Sequence, residues 1–297
     1  MLPSLTQRAL MLLSALLGAC AWHWVCRGLQ PGDGAGKWLS VHPDPGLSGP
    51  WMWIVLGLAG LPALAAAALV AAAGNPLSAV ASLTLAGVFA ASGYGFSDVV
   101  RRADDHQQLE SLYPGRGLEL LAWSAVVVAV AWALEFVRPR LRPRLGRRLT
   151  SRHTAEGVSL WGVDAKAWIA ALVTAGLGAV TTFVLVRSAD TGQVAGALVA
   201  GFALAAVIGH SVAPTKRPGL VLLTPLVVVA AGYVWAAQHY FGADAPAPTG
   251  DRFLAAFYRG DLPGLVVVLP VHAATAGVLG CAVGLGVGQV IEKSKPA

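Results

Sequence analysis

Eight apolar runs divide this sequence and constrain its fold more than any other feature. They lie at about 9–26, 52–73, 77–96, 119–137, 167–187, 194–212, 219–237 and 264–290. A helix needs about 20 residues to cross a bilayer core about 30 Å thick. Because backbone amides in hydrocarbon must be paired internally, runs of this length predict α-helices. We therefore expect an all-α bundle of about eight transmembrane helices, with 1–297 forming one membrane domain and no separate soluble domain.

The composition supports a membrane location. Hydrophobic residues make up 56% of the chain and charged residues only 12%, about half the charged share of a soluble domain. This balance excludes a disordered chain, a nucleic-acid-binding domain and an ordinary cytosolic enzyme. Cys20, Cys26 and Cys281 lack metal-type spacing, so no metal, cofactor or disulfide framework is expected. The Ala- and Arg-rich composition suggests a bacterial gene, and hence the cytoplasmic (inner) membrane.

The distribution of basic residues predicts the orientation. With the N-terminus inside, the inner side carries 13 basic and four acidic residues, and the outer side carries eight basic and 11 acidic ones. Short cytoplasmic loops are enriched in Lys and Arg, so both termini are expected to be cytoplasmic. The densest basic cluster follows the fourth run and comprises Arg138, Arg140, Arg142, Arg144, Arg147 and Arg148. We expect it to anchor the topology and to contact anionic lipids.

The N-terminal run allows a second interpretation. Arg8, an apolar stretch and Leu17–Cys20 together resemble a lipoprotein signal with its cleavage box. The residues after Cys20 stay apolar and include Trp22 and Trp24. This continuation favours a first membrane helix over a cleaved signal.

Two segments suggest an internal repeat. Pro76 and Pro218 open similar apolar segments, which end at Tyr94 and Tyr233. Pro218 follows Pro76, and Tyr233 follows Tyr94, by about the same number of residues. This constant offset suggests two four-helix halves of equal orientation. A cleft between such halves is a natural place for a ligand.

Ionisable side chains at membrane depth are candidates for function. His272 lies about a third of the way along the eighth run, His210 near the inner end of the sixth, and Glu135 near the inner end of the fourth. At 1.5 Å per residue, the two histidines are expected to differ in depth by roughly 12 Å. Each residue also has a purely structural interpretation. His272 would form a hydrogen bond with a neighbouring helix, His210 would be an interfacial histidine near Lys216, and Glu135 would be an interfacial carboxylate near Arg138.

Glycines in the eighth run form a packing motif. Gly280, Gly284 and Gly288 recur every fourth residue, which places them on one helix face. Small residues at this spacing let a second helix approach closely. The partner helix belongs either to the same bundle or to a second copy.

These features favour transport or binding of a small solute or lipid in an intramembrane cleft near the fourth, sixth and eighth helices. One alternative is a membrane-embedded redox or lipid-processing enzyme. Another is an accessory subunit of a membrane complex. Expected partners are the bilayer, its anionic lipids, and either further copies of the chain or a membrane-complex subunit, but not nucleic acid.

Overall fold

The computed structural model describes residues 5–28, 50–73, 75–91, 96–97, 100, 112–144, 159–162, 164–239 and 249–294. Within these ranges the regular structure is helical, without a strand. The helices are α1 (Leu5–Gly28), α2 (Pro50–Ala73), α3 (Pro76–Ala91), α4 (Leu112–Leu141), α5 (Ala165–Leu185), α6 (Thr191–Val212), α7 (Gly219–His239) and α8 (Gly250–Arg259). The final helix, α9, comprises a first turn (Pro270–His272), a π-helical turn (Ala273–Gly277) and an α-helical part (Val278–Ser294).

Five of these helices are long and apolar enough to cross a membrane. Their spans are Gly115–Leu141, Ala165–Leu185, Thr191–Val212, Gly219–His239 and Pro270–Glu292. Large apolar side chains point outward from several of them, including Leu118 on α4 and Leu172 on α5. Such surface is unfavourable in water and favourable against lipid. The fold is therefore that of an all-helical, multi-pass membrane protein.

Helix α9 lies at the centre of the bundle. It packs against α3, α6 and α7. Of its most apolar stretch 67% is buried, against 22% for α4 and 28% for α5. Helix α9 is thus enclosed mainly by protein, whereas most of the surface of α4 and α5 lies on the outside of the bundle.

The eighth apolar run differs from the expected continuous helix over 264–290. Gly264–Val267 forms a 3-10 turn, and the helix begins only at Pro270. Proline disfavours helical geometry in the residue before it, and Leu269 is accordingly extended, with φ −75° and ψ 150°. The prediction of one uninterrupted helix was wrong, because Pro270 separates the buried valines from α9.

Helix α4 is longer than the predicted 119–137. It continues through Pro139 as far as Leu141. Proline removes only one backbone donor here, close to the end of the helix, where a lost hydrogen bond costs little.

The short helix α8 has a different character from the membrane helices. Thr249 caps its first turn by accepting a hydrogen bond from the Arg252 amide at 3.4 Å. Phe253 and Phe257 are buried on one side, while Arg252 is exposed. Gly260 ends the helix in the left-handed conformation, with φ +86°. An amphipathic helix of this kind lies along a surface rather than across a membrane.

Candidate functional site

His272 lies in the first turn of α9, close to the end of α3. Only 1% of its surface is exposed. The ring faces the backbone of Ala91 at the end of α3. Even so, neither ring nitrogen forms a hydrogen bond with any residue that the structure describes. The Ala91 backbone still interacts with the imidazole electrostatically, so the buried ring has a polar neighbour at the end of α3.

The backbone before His272 is irregular and buried. Val266, Val267, Val268 and Leu269 are all fully enclosed. Non-helical backbone at membrane depth is tolerated only inside protein or beside a cavity. Its carbonyl groups therefore need partners from neighbouring helices.

Two tyrosines supply such partners. The Tyr113 hydroxyl of α4 donates to the Val266 carbonyl at 3.3 Å. The Tyr233 hydroxyl of α7 donates to the Val268 carbonyl. The two rings pack together, with centroids 5.3 Å apart. The tyrosines thereby hold the 264–269 segment between α4 and α7.

A buried ion pair lies one turn along α4 from Tyr113. Arg116 Nη1 and Glu119 Oε2 are 2.5 Å apart, and both side chains are at most 5% exposed. Their charges act on the Tyr233 hydroxyl. The sequence analysis missed this pair, because both residues count there as charges of an outer loop. Opposite charges three residues apart at the start of an apolar helix are the signal that would have revealed it.

The π-helical turn of α9 packs tightly against two helices. A Cβ atom at Gly87 of α3 would overlap the Thr275 methyl group, and one at Gly277 would lie 2.5 Å from Pro225 Cβ of α7. Thr275 Oγ1 donates to the Val271 carbonyl at 2.7 Å. π-helical turns inside α-helices occur frequently at functional sites.

An apolar cavity of about 360 Å³ adjoins this turn. It lies between α1, α2, α3 and α4 and the first turns of α9. Its lining includes Gly18, Ala63, Thr84, Gly87, Trp123, Val127, Ala131, Val271, Ala274 and Thr275. Thr84 Oγ1 donates to the Val80 carbonyl at 2.8 Å, as Thr275 does within α9. Both hydroxyl groups thus already donate within their own helices, and the walls favour an apolar occupant.

His210, near the end of α6, lies beside the C-terminal end of α9. Its Nε2 is 3.2 Å from Glu292 Oε2, and its ring is buried. Nearby, Asn75 Nδ2 donates to Gln289 Oε1 at 3.1 Å. Glu292, rather than the expected neighbour Lys216, is therefore the hydrogen-bond partner of His210. These contacts fix the C-terminal end of α9 to α6 and to the turn before α3.

Glu135 forms a hydrogen bond that joins two segments of the bundle. Its Oε2 accepts a hydrogen bond from the Leu160 amide at 2.7 Å, and its charge acts on Arg138. Ser159 in turn donates its amide to the Lys216 carbonyl at 3.1 Å. Glu135 thus links the end of α4 to the segment before α5.

The three cleft candidates do not form one site. His272 is 20 residues from Glu292, the partner of His210, which corresponds to about 30 Å along α9. His210 itself packs beside Gly288, about 24 Å along α9 from His272. This is larger than the roughly 12 Å expected, and the break before Pro270 contributes to the difference by placing His272 at the start of the helix. Glu135 lies with His210 at the opposite end of α9.

The other predicted positions lie at surfaces and contacts. Arg140 stacks over the Phe136 ring at 3.6 Å and is exposed. Arg138 and Arg142 are partly buried. Arg147 and Arg148 fall outside the described residues, as does the side chain of Arg144.

The glycine face of α9 packs against α6. A Cβ atom at Gly280 would lie 2.6 Å from the Val199 carbonyl oxygen, and one at Gly288 would lie 2.9 Å from His210 Cδ2. At Gly284 it would overlap the Ala203 carbonyl oxygen. This packing lies inside the bundle.

Among the described residues, no three His, Cys, Asp or Glu side chains converge as metal ligands. No family model, curated protein or solved structure shows significant similarity to this chain.

Proposed function

We propose that this chain is an eight-span membrane protein that binds a lipid or another lipophilic molecule in the cavity beside the π-helical turn of α9. The cavity is the observation that carries the proposal. Its volume falls within the range of about 300–1,000 Å³ that is typical of ligand pockets. A polar solute would find few free hydrogen-bonding groups in its walls. The apolar lining therefore favours a lipid over a hydrophilic solute.

Shorter helices support the eight spans. Arg8–Cys20, Leu61–Ala72 and Pro76–Phe89 are apolar helical stretches in addition to the five longer ones. They belong to the first three predicted spans. Ser14 and Gly18 pack α1 against α2 and α3: Ser14 Oγ donates to the Ala63 carbonyl at 3.1 Å, and a Cβ atom at Gly18 would lie 2.7 Å from Ala86 Cβ.

Helix packing supports the proposed orientation. Hydrogen bonds join five segments at one end of the bundle. The end of α9 bonds to the turn before α3 and to the end of α6. The segment before α5 bonds to the end of α4 and to the α6–α7 turn. Among the described residues, this end carries Arg138, Arg140, Arg142, Lys216 and Arg217. By the positive-inside rule it faces the cytoplasm.

The order of helix contacts supports a repeat of two four-helix halves. In one half α1 packs against α2 and α3, and in the other α5 packs against α6 and α7. Between the halves α4 packs against α7, and α3 packs against α9. In such a repeat α3 corresponds to α7 and α4 corresponds to α9, so the contact of α4 with α7 is equivalent to the contact of α9 with α3. The cavity lies where α9 meets the first half.

Filling the cavity tests the proposed function. Ala131 is buried in the cavity wall, whereas Ala129 lies on the exposed side of α4 and lines none of the described cavities. Bromododecane, an apolar fluorescence quencher, serves as the probe, and Trp123 in the wall serves as the reporter. The Trp123 contribution is obtained by comparison with a Trp123→Phe variant.

We expect bromododecane to quench Trp123 in the wild type and in Ala129→Phe, but much less in Ala131→Phe. Size-exclusion chromatography and circular dichroism would establish that the variants are folded. Equal quenching of Trp123 in both phenylalanine variants would contradict binding in the cavity.

A further inference from the structure

A small pocket lies between the C-terminal ends of α5 and α8. Its volume is about 170 Å³, and its inner surface is mainly polar. Of the described residues that line it, two are basic, Arg187 after α5 and Arg259 at the end of α8, and none is acidic. Two separate elements of the fold thus bring one arginine each to the same pocket.

Close packing holds these two elements in fixed positions. A Cβ atom at Gly264 would lie 2.8 Å from Val186 Cβ and from the Val186 carbonyl oxygen. Val186 and Leu262, which also line the pocket, are buried. Helix α8 ends in a left-handed turn at Gly260, whose amide donates to the Phe257 carbonyl at 2.9 Å. The pocket is therefore part of the packed structure.

Each arginine uses only its Nε atom for hydrogen bonds within the described chain. Arg187 Nε donates to the Val184 carbonyl at 2.9 Å, and Arg259 Nε donates to Asp261 Oδ2 at 3.0 Å. Among the described residues, none accepts a hydrogen bond from the Nη groups of either arginine. A guanidinium group has five donors in a planar fork, which matches the oxygens of a phosphate or carboxylate.

The negative groups near the pocket already have partners. Asp261 pairs with Arg259, and Asp190 accepts a hydrogen bond from the Ser188 hydroxyl at 3.0 Å. The Leu185 carbonyl at the end of α5 accepts a hydrogen bond from the Gln193 side chain. Two guanidinium charges beside one carboxylate leave the pocket positive, which favours an anion.

The pocket lies where a membrane helix ends. Arg187 follows the Ala165–Leu185 span by two residues, and a basic side chain in this place reaches the level of the lipid headgroups. Tyr258 at the pocket is exposed, as tyrosines at the membrane interface are. Phe183, which also lines the pocket, continues an outward apolar face of α5 with Val180. A lipid with its head in the pocket would lay its chains along this face.

We propose that this pocket binds the phosphate group of a phospholipid between Arg187 and Arg259, with the acyl chains on the outward face of α5. Phosphate oxygens accept charge-assisted hydrogen bonds from both guanidinium groups. A free phosphate ion shares this chemistry but would leave the apolar face of α5 uncovered. The site is separate from the apolar cavity beside α9 and does not depend on what that cavity binds.

Native mass spectrometry of the whole chain in detergent provides the test. The probe is dilauroylphosphatidylglycerol, and dilauroylglycerol has the same chains without the phosphate. The main variant is Arg187→Gln/Arg259→Gln. Arg252→Gln is the matched control, since Arg252 is exposed on α8 and does not line the pocket. Because the basic residues at the opposite end of the bundle are the same in every variant, differences between variants report the pocket.

We expect the double variant to lose one tightly bound phospholipid, because the loss of two charge-assisted contacts weakens its binding roughly tenfold. Arg252→Gln should bind like the wild type, and dilauroylglycerol should not distinguish the variants. Asp261→Asn should strengthen phospholipid binding, because it frees Arg259 and removes the adjacent negative charge. Size-exclusion chromatography would establish that the variants are folded.

Equal phospholipid binding by the wild type and the double variant would overturn the inference. So would an equal loss in Arg252→Gln, which would indicate general attraction to surface charge. Displacement of the phospholipid by inorganic phosphate as effectively as by a second phospholipid would make the free ion the ligand. Weaker binding in Asp261→Asn would show that the carboxylate holds the ligand, and would contradict an anion site.

Discussion

Arg116 and Glu119 form an ion pair in which both charged groups are buried, away from solvent and lipid. Each side chain compensates the other's charge, so the cost of burial appears only when one is removed. The exposed pair of Arg259 and Asp261, 3.0 Å apart, has the same chemistry without the burial. Comparison of the two pairs separates the effect of desolvation from the effect of the contact.

Replacement of Arg116 by Met should therefore destabilise the protein by about 3–5 kcal/mol, because it leaves a buried, uncompensated carboxylate. The double variant Arg116→Met/Glu119→Leu should recover most of this loss. Arg259→Met should cost less than about 1 kcal/mol. Unfolding free energies in mixed micelles would provide the measurement. A double variant as unstable as Arg116→Met would show that the ion pair is not the cause.

The sequence predicted the individual candidates better than their surroundings. His272 and Glu135 are candidates from the sequence alone, because ionisable groups are rare at membrane depth. The roles of the two residues depend on contacts distant in sequence, such as the bond from the Leu160 amide to Glu135. Arg116 and Glu119 were missed for a related reason: a residue near a helix end is exposed or buried according to which helices cover it.

The start of α9 shows what an apolar pattern leaves undetermined. Val266, Val267 and Val268 are as hydrophobic as a membrane helix requires, yet they form a 3-10 turn and an extended segment. Pro263 and Pro270 were the available signals. Hydropathy reports burial in an apolar medium, and a segment enclosed by protein meets that condition without being helical.

The glycine face of α9 predicts a sharp contrast between two neighbouring glycines. A Cβ atom at Gly284 would overlap the Ala203 carbonyl oxygen of α6, whereas one at Gly286 would meet nothing within 4 Å. Gly284→Ala should therefore lower the free energy of unfolding by about 1–3 kcal/mol. Gly286→Ala should raise it by about 0.5–1 kcal/mol, since alanine favours a helix. Thermal unfolding in detergent would measure both, and equal effects would exclude close α6–α9 packing.

The presence of long apolar helices was predictable, because bilayer thickness sets the length that a spanning helix needs. The pairing of the helices was not. Apolar faces rich in Ala, Leu and Val are interchangeable in lipid, and pairing is decided by small residues and a few hydrogen bonds. The Gly288–His210 contact and the Asn75–Gln289 bond are examples that join residues far apart in sequence.

The proposed orientation in the membrane rests on the charge at the two ends of the bundle, and two exposed loop residues test it. Arg187 follows α5, and Lys216 lies between α6 and α7. With Cys20, Cys26 and Cys281 replaced by Ala, we introduce Arg187→Cys or Lys216→Cys and treat spheroplasts with a membrane-impermeant maleimide. Because the end with Lys216 also carries Arg138, Arg140, Arg142 and Arg217, we expect it to be cytoplasmic. We expect labelling of the Arg187→Cys protein in intact spheroplasts and of the Lys216→Cys protein only after lysis. The reverse pattern would place the arginine-rich end outside and invert the proposed topology.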